Sequence, residues 1–580
     1  MKSWPRRILL LTIALVILLA AWVWWNRPQP VDMSAYVPAE SVVYLEANSL
    51  PEILRGMTST DAWRALAPAA GFNPRLGSVG WLTRLSAWTG IGSAETVVFS
   101  RSQVAVAVLG FDATEESDTA LNIKPRVALI AETHTNARRV QAAVTKLVGN
   151  YARRTYGEPK TERGEDDDAT FITWSTADGK RKIVAAISES VAIVGNDEET
   201  VRLCLAVRRG EHASLANDGQ LAEMRGRMAA SDALAFGYVP PAGTSKLLEV
   251  AALTYGGRLA SNPKMQSATA VILPQLANRI LGGMAWSSRI NGGTVEDNYY
   301  LALRNELASR LQGALAASNE QRAKASEFLP ADTYQISTYN FRDPENAWRD
   351  LNAAISSQLE ITIAPLVGRF LDESLKPFGI DSPRDFLRTV GPDITTARLD
   401  SEGSSLVLVA PVRDRETLLA LVRKRLGSGA RVERVGDAEM LISRDEEAGA
   451  ASFVGEHLIM GGEGEVRRCL QERAASRTLA SLNPFLQAWR AASPNEPTGI
   501  ITFTNDYDYA RRFISFLGRQ NGVRNAPPNA AVLQRALSTL PYALSETRLV
   551  EGGFEKKTRS SFGQFGALAV QLASDVEAGK

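Results

Sequence analysis

The sequence contains few of the side chains that bind metals or form cross-links. Two Cys and three His occur among 580 residues. Two Cys exclude a disulfide-rich scaffold, and three His leave little material for a metal cage or a general base. The 65 basic and 64 acidic residues balance to a formal net charge of +1, which provides no long-range field to attract nucleic acid. We therefore expect no cofactor, no metal site and no nucleic-acid partner.

Recognisable catalytic motifs are also missing from the sequence. It contains no G-x-S-x-G elbow, no H-E-x-x-H and no phosphate-binding loop. Gly90 and Gly92 are too few for a dinucleotide fingerprint, which needs a third glycine and a preceding strand. The histidines His134, His212 and His457 share no metal-type spacing, so we interpret them as surface or loop residues. We assign no catalytic residue and expect a non-enzymatic protein.

Two groups of carboxylates are the remaining candidates for chemistry. Glu165–Asp168 are contiguous, whereas a calcium loop needs alternating oxygen ligands and a glycine turn, so we interpret them as a solvated loop. Glu40 and Asp332 follow matching motifs, and Glu46 lies near the first of them. Acids at such strand entries commonly accept hydrogen bonds from the backbone, which is the simpler interpretation. A carboxylate-dependent hydrolase stays open as an alternative.

An uncharged apolar run, Ile8–Trp25, follows Lys2, Arg6 and Arg7 near the N-terminus. It is long enough to cross a hydrocarbon core of roughly 30 Å as a helix. The positive flank predicts a cytoplasmic N-terminus, with the bulk of the chain periplasmic or extracellular and the bilayer as a partner. The alternative is a cleaved secretory signal, although the run ends in bulky tryptophans where a signal has small residues. We predict a single-pass protein of the inner membrane.

The rest of the chain repeats one series of landmarks. Tyr36–Glu40 and Phe328–Asp332 both read aromatic, aliphatic, Pro, Ala and acid, and each precedes a β-rich segment. Val201–Leu205 and Val466–Leu470 share Val, Arg, Cys and Leu. The landmarks keep one order, and their separation shrinks steadily along the chain. We therefore predict a duplication of a whole domain rather than a solenoid of short repeats.

Each copy mixes short β-rich segments with amphipathic helices. The pattern predicts one hairpin within Val97–Phe111 and another formed by Gly283–Ile290 and Thr294–Leu303. Asp197 is the predicted N-cap of a helix. Strands joined by short turns indicate antiparallel pairing. The predicted fold class is α+β, with one N-terminal transmembrane helix and two tandem homologous domains of antiparallel sheet with helices packed on one face. The predicted segments are a basic tip 1–7, a transmembrane helix 8–25, a linker 26–35, a first domain 36–318, a linker 319–327, a second domain 328–574 and a tail 575–580.

Four residues are predicted to have structural roles. Pro38 and Pro330 stiffen the chain before the first strand of each copy. Cys204 and Cys469 occupy matching positions on an apolar helix face, which favours small buried thiols. A disulfide between the copies remains an alternative in an oxidising compartment, provided that the two helices touch.

The opening segment Tyr36–Glu46, read YVPAESVVYLE, resembles bacterial envelope proteins classified only as domain of unknown function 3352. The echo at Phe328–Asp332 and the overall layout extend the resemblance. It implies a single N-terminal anchor followed by a large extracytoplasmic region, and it supplies no catalytic residue.

Three functions remain open on the sequence. The first is a non-catalytic envelope protein that acts in protein interaction or scaffolding, and that binds a partner protein or presents a cleft between its two similar halves. The second is a carrier of an apolar or lipid envelope ligand, because antiparallel sheets covered by helices can enclose apolar cavities. The third is the carboxylate-dependent hydrolase.

Overall fold

The structure is a computed structural model. It describes residues 30–69, 102–117, 120–259, 278–304, 307–318, 323–358, 375–445, 448–492, 497–520 and 530–564, with the positions 98, 274, 368, 371–373 and 566–567. The predicted basic tip, the predicted transmembrane helix, the C-terminal tail and the glycines Gly90 and Gly92 lie outside these residues.

The prediction of a transmembrane protein is contradicted. Among the helices of the described ranges, none combines the length and the apolar character needed to cross a bilayer. The prediction of a single-pass protein of the inner membrane is contradicted by the same finding. That prediction depended on the hydropathy of one run, Ile8–Trp25, which lies outside the described residues. An apolar run spans a membrane only as a sufficiently long helix, and no described helix meets that condition.

In the described part of the chain, twenty strands form one antiparallel sheet. The strands of the first half are β1 Val43–Ala47, β2 Gln103–Ser117, β3 Ala120–Glu132, β4 Lys160–Asp166, β5 Ala169–Ser175, β6 Lys182–Ser188, β7 Val191–Gly195, β8 Ala235–Val239, β9 Leu281–Asn291 and β10 Thr294–Leu303. Those of the second half are β11 Gln335–Tyr339, β12 Ile394–Arg398, β13 Leu406–Pro411, β14 Arg431–Val435, β15 Ala438–Ile442, β16 Ala450–Val454, β17 His457–Gly461, β18 Ile500–Thr504, β19 Ala543–Val550 and β20 Gly553–Ser560.

The two halves have the same strand order. From one edge of the sheet to its centre, the first half runs β4-β5-β6-β7-β3-β2-β1-β8-β9-β10. From the other edge, the second half runs β14-β15-β16-β17-β13-β12-β11-β18-β19-β20. The last strands of the two series, β10 and β20, pair with each other and join the halves. The chain therefore folds twice by one plan, and the two copies meet about a pseudo-two-fold axis.

Helices follow the strands in both halves. Within the described residues the α-helices are α1 Leu50–Thr58, α2 Asp61–Leu66, α3 Ala137–Tyr156, α4 Glu198–Arg208, α5 Gly219–Arg227, α6 Pro241–Leu259, α7 Leu307–Gln312, α8 Pro344–Ser356, α9 Pro383–Thr389, α10 Arg415–Leu426, α11 Glu463–Ala474, α12 Asn483–Arg490, α13 Tyr507–Gln520 and α14 Ala530–Leu537. The predicted cap of α4 is confirmed, because Asp197 Oδ2 accepts the backbone N–H of Thr200 at 2.9 Å.

The predicted fold class is wrong in its arrangement. The strands form one continuous sheet rather than two tandem ones, and helices cover both faces. In β5, Phe171 packs in the cluster that contains residues of α4 and α5, whereas its neighbour Ile172 packs with residues of α3 on the opposite side. Successive side chains of a strand point to opposite faces, so apolar neighbours require a cover on each side. We call the side covered by α4, α5, α11 and α12 the front face.

Candidate functional site

The junction of the halves is an eight-pair antiparallel ladder between β10 and β20, running from Val295 opposite Ser560 to Ala302 opposite Gly553. Asn298 lies opposite Lys557 near its middle. The neighbouring strands repeat one ion pair. Arg289 of β9 lies opposite Glu296 of β10, and Arg548 of β19 lies opposite Glu555 of β20. The ladder therefore brings charged side chains of both halves onto the front face.

Glu296 is the central charge of this junction. Its side chain is 0% exposed, yet it contacts cations from both halves: Arg289 Nε at 2.8 Å, Lys557 Nζ at 3.0 Å and Arg559 Nε at 3.3 Å. Asn291 Nδ2 donates a further hydrogen bond at 3.2 Å. Burial alone would raise the pKa of Glu296, but these hydrogen bonds, from Arg289 first, lower it to about 2. Glu296 is therefore a buried carboxylate that ties the halves together.

Glu555, the counterpart of Glu296, remains open to solvent. Its side chain is 29% exposed, and Arg548 Nε donates to it at 3.2 Å. Arg227, at the end of α5, lies 3.9 Å from the same carboxylate and places its guanidinium 4.2 Å from the centre of the Tyr300 ring. The two equivalent carboxylates thus differ in accessibility, because Glu296 is fully buried whereas Glu555 is 29% exposed.

A cavity of about 320 Å³ lies at this junction. It is bordered by residues 227–229 at the end of α5 and by Thr498 before β18, and the four central strands contribute its remaining residues. Four cations and two carboxylates of the front face line it: Arg227, Arg289, Arg548 and Lys557, with Glu546 and Glu555. Lys556 also borders the cavity, but its ammonium lies 5.8 Å from the centre of the Tyr299 ring on the opposite face. Counting Glu296 with these carboxylates, positive charge still exceeds negative charge. The arrangement can therefore donate hydrogen bonds to an anionic group.

The three histidines lie elsewhere. His212 Nε2 is 2.9 Å from Glu40 Oε1, and His134 Nε2 is 3.3 Å from Gln103 Oε1. The ring of His457 packs 4.9 Å from that of Phe328, and burial lowers its pKa. None of these three histidines, all of which the structure describes, lines the cavity.

The candidate acids at the strand entries do not form a common site. Glu40 contacts His212, and Asp332 forms an ion pair with Arg468. Glu46 Oε2 accepts the hydroxyl of Tyr44 at 2.6 Å, and Arg225 donates to the same oxygen at 2.8 Å. Each carboxylate is thus paired with a side chain of its own surroundings. The expected hydrogen bonds from the backbone to these acids stay a prediction.

The acidic run is likewise engaged in local pairs. Asp166 pairs with Arg202, and Asp168 accepts hydrogen bonds from Ser188 Oγ at 2.6 Å and Arg209 Nε at 2.9 Å. In the residues that the structure describes, no group of three or more His, Cys, Asp or Glu is placed to hold a metal ion.

The four residues predicted to be structural occupy equivalent places. Cys204 and Cys469 are free and buried in separate hydrophobic clusters, and burial raises the pKa of each thiol to about 12. Pro38 forms an isolated β-bridge with Ser214, and Pro330 forms the matching bridge with Thr478. The carbonyls of Pro38 and Pro330 accept a hydroxyl from the residue three positions later, each at 2.7 Å.

Sequence reasoning did not identify the junction residues. A signal was present in Gly553–Ser560, read GFEKKTRS, where charge recurs along a strand that lies in the interior of the sheet. Such charge in a strand indicates an exposed face when it is read locally. Only the pairing of β20 with both β10 and β19 shows that this strand is central.

In comparisons with protein-family models, curated proteins and solved structures, the chain matches none. The resemblance of Tyr36–Glu46 to domain of unknown function 3352 therefore stays a prediction.

Proposed function

We propose that this protein is a non-catalytic binding protein, and that its junction cavity receives an acidic side chain of a partner protein. The observation that carries the proposal is the convergence of cations from both halves on one cavity. Arginine provides planar donors that match a carboxylate, and it is enriched at the energetic centres of protein interfaces. A volume of about 320 Å³ is at the small end for a ligand pocket, which favours a side-chain group over a large ligand.

The charged lining disfavours the alternative of an apolar ligand carrier. An apolar molecule in the cavity would remove water from Arg227, Arg548 and Glu555 without replacing its hydrogen bonds. Burying charges in that way is costly. An acidic group, in contrast, can take hydrogen bonds from these two arginines, since the side chain of Arg548 is 40% exposed and that of Arg227 is 30% exposed.

The test uses the full chain and a capped Glu-Glu dipeptide, with binding followed by ligand-detected NMR. The double variant Arg227→Gln/Arg548→Gln should weaken binding by about tenfold, because charge-assisted hydrogen bonds are the strong ones. Lys246→Gln is the matched control, since Lys246 pairs with Glu249 on α6 and does not line the cavity. Circular dichroism should show that both variants fold.

Two results would reject the proposal. One is equal affinity of the wild type and the double variant for the dipeptide. The other is a hydrolytic activity that the double variant loses while Lys246→Gln keeps it. If the proposal holds, chemical cross-linking in the native cell, followed by identification of the captured protein, should yield a partner that the double variant loses.

A further inference from the structure

The first half ends in an uncovered edge strand. β4 occupies one end of the sheet and, within the described residues, pairs only with β5. Six of its seven residues are exposed. Helix α3 packs on Ile172 and Trp174 of β5 but leaves β4 open. A groove of about 800 Å³ results between α3 and β4.

The walls of this groove are basic. Helix α3 contains five cations and no acid: Arg138, Arg139, Lys146, Arg153 and Arg154. Of these, Arg138, Lys146 and Arg153 line the groove, and Arg163 of β4 adds a fourth cation. Glu158 is the single carboxylate in the lining. Arg163 lies opposite Ile172, which packs against α3, so that its side chain is on the helix side of the sheet.

The groove has the dimensions of an extended peptide. Arg138 and Arg153 are fifteen positions apart in one helix, which corresponds to about 22 Å at 1.5 Å per residue. An extended segment of about seven residues covers that length. The outward-facing backbone groups of β4 border the groove and can pair with such a segment.

The second half lacks the same long helix. Its equivalent helix α10 spans 12 residues, compared with 20 in α3, and it combines four cations with the acid Glu416. The long helical wall without an acid is therefore a feature of the first half.

We propose that an acidic extended segment of a partner protein adds to β4 as a further strand and places its carboxylates against Arg138, Arg153 and Arg163. Backbone hydrogen bonds to β4 supply the pairing, and the cations select acidic side chains, as in other cases of strand addition. The site is independent of the junction cavity, since β4 and β10 are nine strand spacings apart, roughly 40 Å at about 4.8 Å each.

The test measures fluorescence anisotropy with a labelled peptide of alternating Glu and Val, about seven residues long, because alternate side chains of a strand face one side. We expect Arg138→Gln/Arg153→Gln to weaken binding by about tenfold, and added salt to weaken it further. Arg139→Gln/Arg154→Gln is the matched control. It removes the same charge from the same helix at positions outside the groove lining, and it should stay within about twofold of the wild type.

A second peptide, N-methylated at alternate backbone nitrogens, tests strand addition and should bind at least about tenfold more weakly. Equal loss in the two double variants would overturn the proposal, and so would full binding of the N-methylated peptide. Tighter binding of an oligothymidylate with the same dependence on Arg138 and Arg153 would identify a nucleic-acid site instead. Loss of peptide binding in Arg227→Gln/Arg548→Gln with retention in Arg138→Gln/Arg153→Gln would assign the binding to the junction cavity.

Discussion

Asn298 and Lys557 face each other in the central ladder, and the two residues occupy equivalent positions in their own halves. The β9–β10 hairpin closes at Asn291 and Thr294, and the β19–β20 hairpin closes at Val550 and Gly553. Asn298 lies four positions after Thr294, and Lys557 lies four positions after Gly553, so that the two residues are equivalent. The pseudo-two-fold axis of the sheet therefore passes between them, and the predictions below concern the residues around this axis and the buried groups of each half.

Glu296→Gln should destabilise the protein by about 3 kcal/mol, because removing one member of a buried ion pair leaves the others without compensation. The value lies at the low end of the usual range since Arg289, Lys557 and Arg559 are partly exposed. Urea unfolding at neutral pH measures the effect. The loss should shrink as pH falls from about 4 towards 2, because the carboxylate, with its pKa lowered to about 2, is protonated there in the wild type also.

Glu555→Gln is the matched control for this substitution. It removes the equivalent carboxylate, which is 29% exposed and pairs with Arg548. An exposed pair contributes about 0–1 kcal/mol, so we expect a change within that range. If the two substitutions lowered the free energy of unfolding by the same amount, burial at the junction would not explain the contribution of Glu296 to stability.

Asp506→Asn should remove a pH dependence of stability. Asp506 is buried and accepts the backbone N–H of Ser561 at 2.8 Å, and burial raises its pKa to about 6. A raised folded pKa means that this contribution to stability is complete below about pH 4 and is lost as pH rises through about 6. The unfolding free energy of the variant minus that of the wild type should therefore increase by on the order of 2 kcal/mol from pH 4 to pH 7.

Urea titrations at several pH values in that interval measure this shift. Asp508→Asn, two positions along the chain in α13, controls for the loss of one acid, since Asp508 is less buried than Asp506. A difference that stays constant with pH would contradict a raised pKa at Asp506.

Gly553→Ala should weaken the junction. Gly553 lies opposite Ala302 at the end of the β10–β20 ladder, and an added Cβ would be 2.1 Å from the carbonyl oxygen of Leu301. A backbone carbonyl cannot move aside as the end of a flexible side chain can. We therefore expect the free energy of unfolding, measured with heat or urea, to fall by about 1–3 kcal/mol. Gly164→Ala on β4 is the control, because a Cβ there meets nothing within 4 Å. Comparable losses at both positions would argue against close pairing of β10 with β20.

Cys204 and Cys469 should resist thiol reagents in the folded protein. Both are buried, and a pKa raised to about 12 leaves almost no thiolate near pH 8. Reaction with a chromogenic disulfide should therefore be slow, and both thiols should react at once in guanidinium chloride. Single Cys204→Ala and Cys469→Ala variants assign the residual reactivity. Rapid modification of either thiol in the native state would show that its helix opens or that the thiol reaches solvent.

Local sequence pattern predicted many elements well. The hairpin predicted at Gly283–Ile290 and Thr294–Leu303 is confirmed as β9 and β10, with Thr294–Leu303 matching β10. The hairpin predicted within Val97–Phe111 is wrong, because β2 continues from Gln103 to Ser117 and pairs with β3. Alternating apolar residues identify a strand, but the position of its turn depends on the partner that pairs with it.

By itself, the sequence determined the local elements and the repetition of one plan, since side-chain spacing, caps and turn residues act over a few positions. Tertiary structure alone decided that β10 pairs with β20 and that helices cover both faces. It also decided that Glu296 is buried among cations from both halves. The physical reason is that the backbone groups of an edge strand can pair with any other strand, and the side chains of that strand do not specify which one. Contacts between residues far apart in the sequence therefore form only when the whole sheet assembles.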